Sequence, residues 1–133
     1  MRLNQASDFA LRILMLLARA ETPMTVETIS KELNLVKSHV MKIIARLAKT
    51  GVLTSHRGRN GGVELGRDAS KIRIGDVVRA VESDFAIVEC MQSGPSDCVF
   101  APSCRLKGLM HEAGQAFLAT LDQRTLKSIV EPE

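Results

Sequence analysis

The stretch TVETISKELNLVKSHVMKIIARLAKTGVLTSHRGRNGGVEL, residues 25–65, decides the fold. Thr25 can cap a helix that runs to Leu33, with Val26, Ile29 and Leu33 as its buried stripe. Asn34 suits a left-handed turn. A further helix is expected from about Val36 to Thr50, with Val40, Ile43, Ile44 and Leu47 facing inward and Gly51 as its stop. Val52 to His56 is a β-prone run, Arg57 to Gly62 a turn, and Val63-Glu64-Leu65 alternates as a returning strand. Two short helices joined by a tight turn and followed by a hairpin make a winged helix-turn-helix. The fold class is therefore mainly α, with a two-stranded β wing.

Working outward, residues 4–20 carry Ala6, Phe9, Ala10, Ile13, Leu14, Leu17 and Ala18 at helical spacing. Glu21-Thr22-Pro23 ends that helix. Past the hairpin, Lys71-Ile72-Arg73-Ile74 leads into a helix from Gly75 to Glu82. A long helix is expected from near Ser103 to about Leu121. Its apolar stripe is Leu106, Leu109, Met110, Ala113, Phe117 and Leu121. We read it as a dimerisation helix, because two recognition helices must lie about 34 Å apart to read a palindrome. A core helix of a monomer is the plainer alternative. The expected organisation is 1–80 for DNA binding, 81–104 for a cysteine loop, and 105–133 for the dimerisation helix and C-terminal tail.

The bulk numbers agree with a DNA-binding role without proving it. The chain has 133 residues, enough for one domain with a core, and a net charge of +3. Aromatic residues make up 3% with no Trp or Tyr, which argues against base stacking on single strands. No apolar run is long enough to span a membrane. Lys37, Ser38 and His39 are the first exposed residues of the recognition helix, where side chains reach base edges. Lys42, Arg46 and Lys49 follow and can hold phosphates. Arg57 and Arg59 sit among glycines at the wing tip and can enter a narrow minor groove. For any one of these basic residues a solvated helix face is as good an account.

Cys90, Cys98 and Cys104 are the only cysteines, and they fall within fifteen residues. The intervening MQSGPSD and VFAPS are loop-like. Three thiols on one loop can converge on a metal, one ligand short of the usual four. Their odd number argues against a disulfide framework. The N-terminus has no charged segment leading a long apolar run, so a cytoplasmic setting is expected. Three unrelated thiols are the plainer alternative, disfavoured by the polar neighbourhood. A helix starting near Cys104, with Arg105 and Lys107, would stabilise thiolates.

The wing string RGRNGGVELG, the segment IRIGDVVRAVE and the clustered cysteines resemble the Rrf-two family of iron–sulfur winged-helix repressors, over essentially the whole chain. The string CRLKGLMHEAGQAFLATLDQRTL looks most like its nitric-oxide-sensing NsrR branch. The spacing from Cys90 to Cys98 and the phrase DFAIVEC look more like the iron-responsive RirA branch. The IscR branch fits least, because His111 lies seven residues past Cys104. The resemblance implies an iron–sulfur cofactor, [4Fe-4S] or alternatively [2Fe-2S], bound by Cys90, Cys98 and Cys104. It also implies Asp8 as a fourth, oxygen-donating ligand from the other subunit of a homodimer. A solvated first-turn Asp is the plainer account of Asp8. The implied partner is double-stranded DNA with a palindromic operator, and the implied function a repressor answering nitric oxide. An iron-responsive repressor and a thiol- or zinc-based one remain open. Val36 stands where the family usually has a capping Ser, which predicts a shifted or frayed start to the recognition helix. No nucleophile motif, phosphate loop or paired-carboxylate pattern points to an enzyme.

Overall fold

A computed structural model describes residues 1–58, 61–101 and 103–132. Three helices come first: α1 (Gln5–Arg19), α2 (Val26–Leu33) and α3 (Lys37–Lys49). Strands β1 (Leu53–His56) and β2 (Gly62–Leu65) form the wing, and α4 (Ile74–Val81) follows. After the cysteine loop come α5 (Arg105–Asp122) and α6 (Leu126–Val130). Short 3-10 turns occupy Ala69–Lys71 and Glu89–Met91.

Local chemistry explains the starts. Asn4 accepts from the Ser7 N–H and Thr25 from the Thr28 N–H, so α1 and α2 are capped by their own side chains. Asn34 takes the left-handed conformation, with φ 52°, and turns the chain into α3. Val36 makes no side-chain cap, which forgoes about 1 kcal/mol relative to Ser. The predicted shift or fraying nevertheless does not occur. The helix begins at Lys37, with the Val36 carbonyl accepting from His39 and Val40 N–H groups. The inward packing of Val40, Ile43, Ile44 and Leu47 outweighs the missing cap. Gly51, at φ +79°, ends the turn after α3.

The core lies around α1, which packs against α2, α3, α4, α6 and β2. Ile13, Leu14, Ile29, Val40, Leu47 and Val77 are fully or almost fully sealed within it. The strands pair antiparallel, from Leu53 opposite Leu65 to His56 opposite Gly62. Met24 and Val63 exchange backbone hydrogen bonds of 2.9 and 2.7 Å, which fastens the wing to the start of α2.

The helix expected over Gly75–Glu82 begins one residue earlier and ends at Val81. The C-terminal tail is where the structure differs most from the expectation. Thr125 and Ser128 form a reciprocal cap for α6, and Leu126 is completely buried. The Leu126 N–H donates to the Ile72 carbonyl, and that of Ile74 to Arg124. The tail thus returns to the first half of the chain. At the turn, Gly75 faces Asp122 so closely that any Cβ would strike the carboxylate. The Arg79 guanidinium grips the same carboxylate at 2.6 and 2.8 Å.

Candidate nucleic-acid interface and cysteine loop

Helical geometry sorts the polar residues of α3 by face. Ser38 and Lys42 lie opposite the buried stripe and are exposed. Lys37 lies on the flank toward α2, where its ammonium meets Glu27 at 2.9 Å. That hydrogen bond, then the charge of Lys37, holds the Glu27 carboxyl below its ordinary pKa. His39 lies on the other flank, stacked on Phe9 with ring centroids 6.5 Å apart. Arg46 turns the same way and donates to the Val81 carbonyl at 3.3 Å. This bond reaches the C-terminus of α4, where carbonyls lack helical partners.

An open groove of about 440 Å³ runs along this flank, between Gln5, Ala6 and Phe9 of α1 and His39, Ile43 and Arg46 of α3. The wing presents Arg57 to solvent. Arg59, the other wing arginine expected at DNA, lies outside the described residues. His56 and Glu64 pair across the strands at 2.7 Å.

The junction between α4 and the cysteine loop is tied down by a polar cluster invisible in the sequence. Ser7 is completely buried, and its hydroxyl donates to Glu82 at 2.5 Å. The Asn4 N–H donates to the same carboxylate. The start of α1, the end of α4 and, through Arg46, the recognition helix therefore meet at residues 81 and 82.

Cys90 lies half-buried in the 3-10 turn, Cys98 is exposed, and Cys104 is half-buried at the N-cap of α5. All three are free thiols. Three soft sulfur donors, with Cys104 at a helix start followed by Arg105 and Lys107, fit an iron–sulfur cluster or zinc chemically. The loop does not gather them: among the described residues, no three His, Cys, Asp or Glu side chains are grouped to hold a metal ion. Asp8 is on α1, its carboxylate forked by Arg12 at 2.7 and 3.1 Å.

The long helix α5 buries only Leu118. Leu106 and Leu109 stand 54% and 57% exposed, and Val99 and Phe100 just before it 87% and 70%. An apolar stripe of this kind calls for a second copy of the chain. None of the described helices is long and apolar enough to cross a membrane.

A winged helix-turn-helix carrying an uncovered apolar helix defines a DNA-binding homodimer that regulates transcription. Comparisons with known proteins name the family. The model described as "Rrf2: Iron-dependent Transcriptional regulator" matches residues 3–132, and the chain belongs to this family. It is 42% identical to the HTH-type transcriptional regulator NsrR of Bacillus subtilis (strain 168), over 98% of this chain and 91% of that protein. CymR, the global cysteine regulator of B. subtilis, superposes with a TM-score of 0.76 at 25% identity, covering 98% of this chain and 96% of that one. IscR of T. potens has the same fold, with a TM-score of 0.77 at 23% identity, covering 98% and 86%. The family consists of transcriptional regulators, so the chain is not an enzyme.

Proposed function

We propose that this protein is a cytoplasmic repressor whose hold on a palindromic operator depends on an iron–sulfur cluster and is released by nitric oxide. One observation carries the proposal. Cys104 is the N-cap of the helix through which two copies pair, so whatever orders the cysteine loop acts on the end of the dimer helix. In this reading residues 1–80 bind DNA, 81–104 hold the cluster, and 105–133 comprise the dimerisation helix and the C-terminal tail. Cys90, Cys98 and Cys104 would be thiolate ligands and Asp8 of the opposite subunit a fourth. When bound, a [4Fe-4S] or [2Fe-2S] centre supplies an anionic, redox-active group able to take a small ligand at iron. Asp8 must let go of Arg12 to serve, and a carboxylate is a harder, weaker partner for iron than a thiolate. Ser38 and Lys42 face the DNA, Lys37 and His39 border them, and Arg57 and Arg59 serve the wing. The 42% identity to a protein named NsrR favours nitric oxide as the signal.

The family description "iron-dependent" favours a second reading in which iron supply is the signal. The accessible thiols leave a third reading, a thiol- or zinc-based repressor, to be tested beside these. Anaerobic purification followed by visible absorption, iron and sulfide counts and operator binding separates them. Bleaching by nitric oxide with loss of binding supports the first. Release by an iron chelator alone supports the second. Iron-free protein whose binding follows thiol oxidation or zinc supports the third. Single Cys90→Ser, Cys98→Ser and Cys104→Ser variants should lose the cluster yet stay folded. For Asp8, a mixed dimer of an Asp8→Ala chain with a triple-Cys→Ala chain keeps one intact loop facing an intact Asp8. Wild-type-like spectra there support ligation across the interface, and spectra of the Asp8→Ala homodimer refute it.

A further inference from the structure

Two large apolar side chains at the recognition helix are more than half exposed. Val36, its N-cap, is 61% exposed, and Met41 is 53% exposed. Ser38, Met41, Lys42 and Ala45 follow the i, i+3, i+4, i+7 spacing and are all exposed. Several polar side chains of this helix also have partners within the chain. Lys37 is held by Glu27, His39 lies on Phe9, and Arg46 bonds the Val81 carbonyl. The helix start thus offers DNA one hydroxyl, one ammonium and two apolar groups. Val36 gives up a capping bond at its position, so its value there is not to the helix itself.

We infer that Val36 and Met41 are specificity-determining residues that recognise thymine by apolar contact with its C5-methyl group. In the major groove that methyl is the one apolar feature that marks a base, and it distinguishes T·A from every other pair. An unbranched thioether such as Met41 adapts its shape to a methyl, and the branched Val36 presents a fixed one. The operator read by this chain would then carry a thymine in each half-site under the start of α3, with Lys42 fixing the backbone beside it. The inference rests on DNA binding through α3 and deepens that reading.

The test begins with selection of a preferred duplex from random DNA by the full-length, anaerobically purified dimer. Each thymine is then replaced by deoxyuridine, which removes only the methyl. Wild-type affinity should fall about fourfold at one or more thymines per half-site, about 0.8 kcal/mol by the tenfold-per-1.4 relation. Met41→Ala or Val36→Ala should lose the response at its own thymine, whereas Met41→Leu should keep it. No methyl-sensitive thymine, or sensitivity unchanged in both Ala variants, overturns the inference. Salt-dependent binding with no preferred sequence overturns it too, while leaving the regulator reading intact. Failure of the wild-type dimer to bind any duplex would remove that reading as well.

Discussion

From Gln5 to Val81 most apolar side chains are covered by their own chain: Ile13, Leu14, Ile29, Val40, Val77 and Val78 are sealed off completely, and Val36 and Met41 on the recognition helix are the large exceptions. From Phe85 to Phe117 they are not. Phe85, Val99, Phe100, Leu106, Leu109 and Phe117 are all exposed. The first region is finished as a single chain. The second is helical on its own but leaves its apolar side chains for a second copy to cover. In the proposed reading the DNA-reading surface belongs to the well-buried part and the sensing loop to the part left open. Local stability follows buried apolar contact, so the loop and the start of α5 belong to the low-stability end of the molecule.

The largest expected effect tests where the finished region ends. Leu126→Ala, far down the chain, should cost about 2–5 kcal/mol, because its side chain fills the core beside Ile72. Urea unfolding at fixed protomer concentration measures it. A loss near zero would return α6 to the role of an exposed tail. Leu109→Glu probes the other region. It should weaken self-association by roughly tenfold or more while leaving the helical circular dichroism of the chain intact. Analytical ultracentrifugation reads the first property, and an unchanged dimer would mean that α5 pairs through another face.

The smallest effect concerns the seam between the regions. Arg79 holds the Asp122 carboxyl below its ordinary pKa of 3.8, chiefly by hydrogen bonding. A depressed carboxyl stabilises the fold above its unfolded value, and the contribution fades as pH drops through the folded value. Asp122→Asn should therefore make the acid limb of the stability curve shallower below about pH 4 and leave its slope near neutrality unchanged. Asp68 and Glu27, lowered by Ser70 and Lys37, keep part of that limb. An identical acid limb in the variant would show that the ion pair contributes nothing.

The winged helix-turn-helix was legible because its signals are local. Thr25, Asn34 and Gly51 each specify a cap or turn by their own backbone chemistry, and Val40, Ile43, Ile44 and Leu47 declare a face. Helix α6 escaped because five residues cannot show a period. Its one visible mark was Thr125 followed by Ser128, a capping pair at helix-start spacing. The Ser7–Glu82 bond spans 75 positions and the Arg46–Val81 bond 35, so neither leaves a pattern along the chain. For the same reason Lys37 and His39 could be assigned to the start of α3 from sequence, but not to the flanks where Glu27 and Phe9 receive them. The cysteines were legible as a set, being close in sequence. Where a fourth donor comes from is a question of assembly, beyond the reach of one chain's periodicity.

The contact between Gly75 and Asp122 makes α5 a cantilever. One end is clamped by Arg79, Leu118 and the return of α6; the other, bearing Cys104, projects about 27 Å away, eighteen residues at 1.5 Å each. A tilt of about 5° at the clamp moves the far end by roughly 2 Å, on the scale of helix shifts that switch other dimers. Run in reverse, a push of that size at the cysteines becomes a small torque at α4. The Arg46–Val81 bond joins the end of α4 to α3, so in the proposed reading the same displacement would reach the recognition helix.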